Sequence, residues 1–409
     1  KEFFREAQGL LNPDGVFVIG TVSTPGLRGR SIANRNATIY HTLSRVFSVV
    51  LPVGDRFLFY IATDAPQQIT ADAGILQRRF LERNIRTEGF SRHHFHILLE
   101  ESQLRRVNWI IRNHGRSIDA HLTSPQTGPL LPASVVQQQE NEHLLPPVQE
   151  RFFINSDFRP IGYYYTLMFW NDLTGYGRTE VFDWLLQIRP WWLLPAAGLL
   201  FVAAGLLRIT DHIGGGRRSV FNAVIVAAFM TGFSTMTLQI ALLFSFQSVY
   251  GFVYEMAGLI VAIFMGGLAA GAAFTHRYIT NKANTNTLAA VQLLAAVLAC
   301  LIAVVLPRAA AVESLNAVFL LFSLLTFVSG LLNGVSFPLT AECCMALNHR
   351  AERSAGSVYA VELFGGCLGA AIASAAVVPV LGIVACCLSA AAASAAAFVV
   401  LLISRRSYA

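Results

Sequence analysis

The stretch Ser219–Tyr254, SVFNAVIVAAFMTGFSTMTLQIALLFSFQSVYGFVY, holds 36 residues without one Asp, Glu, Lys or Arg. As a single straight helix it would run about 54 Å, against a hydrocarbon core of about 30 Å. It has to cross a membrane and turn, and Gln247–Gly251 is where the turn fits. Further uncharged runs follow at Met256–Thr275, Ala283–Pro307, Ser314–Ala341 and Leu363–Ser404, the last broken at Pro379–Gly382. Upstream lies Pro190–Leu207, opened by Trp191 and Trp192 in the manner of interfacial anchors. The count is seven spans, over 190–208, 219–246, 251–274, 285–306, 315–341, 356–378 and 381–403.

Composition divides the chain at the same place. Of 409 residues, 54% are apolar and only 13% charged, where soluble domains carry roughly 25% charge. Residues 1–189 hold 20 of the 30 Lys and Arg and 18 of the 24 Asp and Glu; residues 190–409 hold the other 10 and 6. A charged, aqueous part precedes a membrane part. The formal +6 comes mostly from Arg residues flanking spans, so it gives no nucleic-acid signal. Nine basic residues fall on one side: Arg208, Arg217, Arg218, Arg277, Lys282, Arg350, Arg353, Arg405 and Arg406. Arg308 alone falls on the other, which places the nine in the cytoplasm. All six cysteines lie in or beside apolar runs, where they read as soft packing residues.

Inside the last six spans the sequence repeats. Phe264-Met-Gly-Gly-Leu-Ala-Ala-Gly matches Phe364-Gly-Gly-Cys-Leu-Gly-Ala-Ala at an offset of 100, and Phe229-Met-Thr-Gly232 matches Phe327-Val-Ser-Gly330 at 98. Either the six helices are two inverted three-helix units, or Gly/Ala-rich spans resemble one another by composition. The small pairs Gly267/Gly271 and Gly365/Gly369 let backbones approach closely on either account. Polar residues are costly in hydrocarbon and mark candidate functional positions. Glu362, Glu255 and Gln239 are the leading intramembrane candidates, with Glu342, Gln292, Asn222, Asn316 and Asn333 adding polarity. Glu362 either faces a cavity and pairs with a cation or is hydrated at a helix end.

The aqueous part predicts an α/β arrangement. A helix over 2–11 runs into the turn Asn12-Pro-Asp-Gly15, then an apolar strand, Val16–Gly20, of the buried parallel type. A helix over 36–47 leads to a hairpin, Val49–Val53 and Phe57–Thr63 around Gly54-Asp55, and helices follow over 72–86 and 102–113. Residues 115–150, rich in Pro, Gln, Ser and Thr, read as a surface loop or disordered insertion. Order resumes over 151–188 and the membrane domain covers 189–409. His93-His94-Phe-His96 lacks a fourth ligand at a recognisable spacing, so no metal site is expected; on a strand His94 and His96 would share a face.

Helix, Asn-Pro-Asp-Gly turn, strand, helix and antiparallel hairpin is how a class I methyltransferase-like sheet finishes. Together with Ile154-Asn-Ser-Asp-Phe-Arg-Pro-Ile-Gly-Tyr-Tyr-Tyr165, it resembles the later part of a spermidine synthase-type aminopropyltransferase domain. Gly232-Phe-Ser-Thr-Met-Thr-Leu-Gln, Phe246-Gln-Ser-Val-Tyr-Gly-Phe-Val-Tyr254 and Tyr359-Ala-Val-Glu-Leu-Phe-Gly-Gly resemble bacterial proteins that fuse this domain to major-facilitator-like helices. The fold expected is a partial Rossmann-like domain followed by an all-α polytopic bundle in the bacterial inner membrane. The resemblance implies a full-length parent that transfers an aminopropyl group from decarboxylated S-adenosylmethionine to a diamine. It also implies a glycine-rich nucleotide loop, a ribose-binding acid and a catalytic Asp, none of which this chain matches. The N-terminal Lys-Glu-Phe-Phe reads as a cut end, and the missing N-terminal half is the expected partner. No cofactor is expected to bind this chain, and Gly214–Gly216 reads as a linker.

Within the resembling segment, Asp157, Arg159, Tyr163 and Tyr164 are the candidate substrate-binding residues. A carboxylate with aromatic faces suits a polyamine cation. The competing reading has Asn155-Ser-Asp157 capping a helix opened by Pro160, with the tyrosines packed inside. The other functional reading is a transporter or scaffold for a polyamine or other small molecule, with a non-catalytic synthase-like module. Methyl transfer on the same fold is a third.

Overall fold

The computed structural model describes residues 1–24, 29–113, 153–174, 180–186, 216–250, 254–279, 284–309, 312, 314–348 and 351–406. The expected insertion over 115–150 and the span over 190–208 lie outside the described residues. Two compact units form, Lys1–Asp183 and Trp184–Ala409.

The first unit is built on three strands: β1 (Phe17–Val22), β2 (Val49–Gly54) and β3 (Phe57–Thr63). The order is β1-β3-β2, with β3 antiparallel to both neighbours. The β2–β3 hairpin turns where expected, and Gly54 carries its sharpest backbone, φ 106°. A Cβ there would collide with the carbonyl of Phe57, so glycine is required. The parallel partner expected for the first strand is not what the structure shows. β1 runs antiparallel to β3, with Phe17 opposite Ala62 and Val22 opposite Phe57. The Val16–Gly20 run is apolar on both faces, and such a run does not encode the direction of its neighbour.

One sheet face carries the core. Leu58, Tyr60 and Ala62 of β3 are fully buried against Tyr40 and Leu43 of α2 (Arg30–Leu43) and Val107 and Ile111 of α5 (Glu101–Asn113). Phe4 of α1 (Glu2–Gly9) packs on the same cluster. Each large side chain buried there stabilises by about 1.5–3 kcal/mol. The Tyr60 hydroxyl donates to the carbonyl of Asn36 at 2.8 Å, tying sheet to helix. The opposite face is apolar too, yet much of it is bare: Val18 is 55% exposed, Val22 56%, Phe57 59% and Phe59 47%. Two short helices, α3 (Ala73–Glu82) and α4 (His94–Leu98), follow β3 in the chain. The His93–His96 segment is therefore helical rather than extended. Among the described residues, no group of three or more metal-ligating side chains occurs. Helix α6 (Ile161–Leu173) packs on α2, and α7 (Glu180–Leu186) follows it in the chain.

The second unit is six long helices: α8 (Gly216–Tyr250), α9 (Tyr254–Phe274), α10 (Thr285–Ala309), α11 (Leu315–Asn348), α12 (Ala351–Ile372) and α13 (Ile383–Arg406). All six are long and apolar enough to span a membrane. The protein is a multi-pass membrane protein in that sense. The break expected within Pro379–Gly382 falls at Gly382, whose φ is 97°, whereas Gln247–Tyr250, where the first turn was expected, still belong to α8, and 251–253 lie outside the described residues.

The repeat is present in three dimensions, at a single offset. A π-helical turn begins at Thr275 after α9 and another at Ala373 after α12, 98 residues on. The starts of α10 and α13, Thr285 and Ile383, stand at the same spacing. Packing follows the same rule. A methyl added at Gly267 or Gly271 of α9 would overlap the carbonyls of Phe327 or Leu331 on α11. One added at Gly365 or Gly369 of α12 would overlap those of Phe229 or Phe233 on α8, each residue 98 positions from its counterpart. The offset of 100 read from the Phe264 and Phe364 phrases is thus corrected by two residues. Glycine spacing sets the register, because these positions, together with Gly232, Gly330 and Gly334, admit a neighbouring helix backbone where a side chain would collide. Three helices per unit is an odd number, so the second unit is inverted with respect to the first.

Candidate functional site

The segment before α6 gathers the expected substrate-binding residues only in part. Asn155 Oδ1 accepts from the backbone N–H of Gly162 at 3.1 Å, and Pro160 stands at the helix start. Asn155 thus satisfies one N–H of the first turn from outside the helix, with Pro160 at the N-cap position itself, and Asp157 serves elsewhere. Its backbone N–H donates to Glu2 Oε2 at 3.2 Å. Burial, and then the nearby carboxylates of Glu2 and Glu6, push the Asp157 carboxyl up to about 6. Ser156 and Arg159 close the turn through a pair of backbone hydrogen bonds, 3.2 and 3.0 Å. Tyr163 is exposed, whereas Tyr164 is fully buried and donates its hydroxyl to the carbonyl of Phe182 at 2.7 Å. Asp157 and Tyr163 thus remain accessible, while Tyr164 belongs to the packing.

In the membrane unit the three intramembrane candidates are dispersed. Glu255 is exposed in the first turn of α9. Glu362 is half-buried on α12, and its own carbonyl is what Gly232 of α8 packs against. Gln239 of α8 is 8% exposed, and neither of its amide atoms has a hydrogen-bond partner.

What the structure does bring together is a set of neutral polar side chains that the sequence named singly or not at all. Gln292 of α10 donates to Thr231 Oγ1 on α8 at 2.6 Å and to Ser336 Oγ on α11 at 3.2 Å. Thr235 of α8 donates to Asn333 Oδ1 of α11 at 3.1 Å. Ser234 donates to the carbonyl of Ala390 on α13 at 2.9 Å and lies 2.7 Å from Ser394 Oγ. These side chains line one small cavity of about 20 Å³, room for one or two waters. Thr235 and Asn333 are counterparts in the repeat, 98 residues apart, so their hydrogen bond lies on the internal two-fold axis. Thr231 with Ser329, and Leu238 with Ser336, are further lining pairs at that spacing. The available signal was a stripe at helical spacing on α8 (231, 234, 235, 238). Its convergence with Gln292 is a property of packing alone.

No family model, curated protein or solved structure matches the chain.

Proposed function

We propose that this chain is the membrane-embedded, C-terminal portion of a spermidine synthase-like protein of the bacterial inner membrane. The parent would transfer an aminopropyl group from decarboxylated S-adenosylmethionine to a diamine: a general base takes the ammonium proton, and the freed amine attacks the carbon beside the sulfonium. As the C–N bond forms the C–S bond breaks, and the sulfur leaves as the neutral nucleoside thioether. The observation that carries the reading is the sheet. Three strands in the order β1-β3-β2, covered by α1, α2 and α5 on one face and largely bare and apolar on the other, form a fragment suited to the end of a Rossmann-like sheet. The missing N-terminal half would cover Val18, Val22, Phe57 and Phe59, pair the outer edge of β1, and bring the nucleotide loop and the base. Asp157 and Tyr163 would then border the amine side.

The test is an aminopropyl-transfer assay in membranes, with putrescine and labelled decarboxylated S-adenosylmethionine. This chain alone should give no product. Co-expression with the segment that supplies the nucleotide loop should give labelled spermidine, reduced at least tenfold by Asp157→Asn. Absence of product from the joined protein would refute the reading. A second reading, a transporter with a non-catalytic synthase-like module, is favoured by one observation: the polar cavity on the two-fold axis of the helical bundle.

A further inference from the structure

We infer that the axis cavity of the six-helix unit is a binding site for one small monovalent cation, of the size of sodium, potassium or ammonium. The inference does not depend on the synthase reading. It starts from where the hydrogens go. The hydroxyl of Thr231 donates to the carbonyl of Ala227 at 2.8 Å, that of Ser234 to Ala390 at 2.9 Å, and that of Thr235 to Asn333 at 3.1 Å. Gln292 spends its amide hydrogens on Thr231 and Ser336. Each hydroxyl has one hydrogen and two lone pairs, and an amide has two hydrogens and one carbonyl oxygen. What these four side chains have left to offer is therefore lone pairs. The hydroxyls of Ser329 and Ser336 can rotate to add theirs. Neutral oxygens grouped around a space this small can replace the hydration shell of an alkali cation.

Charge and size narrow the class. Among the described residues no Asp, Glu, Lys, Arg or His lines the cavity. Neutral oxygens can compensate a single charge but not the several charges of a polyamine, which would stand uncompensated in the bundle. Room for one or two waters, about 20 Å³, suits one small ion. A second observation lies one turn along α8. Gln239 sits between the Thr235–Asn333 bond and the Phe246–Phe322 ring contact, on the same α8–α11 seam, buried with both amide atoms unpartnered. Thr326 Oγ1 of α11 is buried without a partner in the same seam. Buried polar groups are rarely left so. These unspent polar atoms lie beyond the cavity lining, on the same two helices.

The experiment is thermal unfolding of the purified full chain in sodium, potassium, ammonium or choline chloride at equal ionic strength. Choline is too large for the cavity and sets the baseline. Binding to the folded state alone raises the melting temperature by roughly 3–6 °C at about ten times the Kd. The inference expects such a rise in at least one small-cation salt, lost in Thr235→Val and kept in Ser245→Ala, a buried hydroxyl on α8 outside the cavity lining. Should Thr235→Val fail to fold, Ser394→Ala carries the same expectation. Equal melting temperatures in all four salts would overturn the inference and leave an ordered water only. A cation-dependent rise that survives both Thr235→Val and Ser394→Ala would overturn the assignment to this cavity.

Discussion

At the scale of single residues, the bundle is governed by positions where a side chain cannot exist. Gly365→Ala places a methyl group on the carbonyl of Phe229, with backbone rather than a flexible side chain as the obstacle. A loss of about 1–3 kcal/mol is expected, read as a lower melting temperature in detergent. Gly266→Ala, with nothing within 4 Å of the added atom, should change stability by less than about 0.5 kcal/mol. Asp157 offers a pH test in the aqueous unit. Its folded-state pKa of about 6 lies above the ordinary carboxylate value of about 4. The folded state thus holds this proton more tightly than the unfolded one, and the contribution to stability falls as pH rises from about 4 to 6. Protection of the α6 amides from hydrogen exchange in the whole chain, taken relative to the unfolded rate at each pH, should fall over that window, and Asp157→Asn should flatten the dependence. The helix start at Pro160 and an acceptor for its first turn in Asn-Ser-Asp were legible in sequence. Which of those residues accepts was not, because Asn155 and Asp157 carry similar acceptors and only the fold decides which one meets Gly162.

At the scale of elements, the bare face of the sheet separates two kinds of apolar residue that look alike in sequence. Leu58 and Phe59 are neighbours, but Leu58 is fully buried against α2 and α5, whereas Phe59 is 47% exposed. Phe59→Lys should therefore leave folding of the aqueous unit of this chain unchanged within about 0.5 kcal/mol and reduce its aggregation. Leu58→Ala should cost about 2–5 kcal/mol. Chemical denaturation of the whole chain, followed by a probe on α2, distinguishes the two. The hairpin around Gly54 and the helices over 72–86 and 102–113 were legible within a few residues. Period-2 and period-3.6 patterns are strong there, and glycine marks the turn. The antiparallel β1 and the helix over His94–Leu98 were not: an apolar strand does not encode its neighbour's direction, and the five residues HFHIL satisfy either period.

At the scale of the whole molecule, the six long apolar helices were legible as uninterrupted apolar runs, with ends that differ by up to seven residues, as at 341 against Asn348. The axis cavity was invisible, because Gln292, Thr231 and Ser336 lie on three different helices and meet only when those helices pack. The distribution of Arg and Lys predicts sidedness as well. Single cysteines introduced at Arg277 and Arg353 should label from the cytoplasmic side and one at Arg308 from the other, assayed with a membrane-impermeant thiol reagent in intact cells. Labelling of all three from one side would contradict the six-span arrangement.

The contacts of Gly232, Gly267 and Gly271 repeat at Gly330, Gly365 and Gly369, 98 residues on, but the polar lining does not. Gln292 in the first triplet corresponds to Ala390 in the second, which has no amide to offer. Each triplet nonetheless supplies four polar side chains to the lining, so the symmetry holds in number while failing in kind: whatever lodges at the centre meets a side-chain amide at Gln292 and only a methyl group at the position related to it.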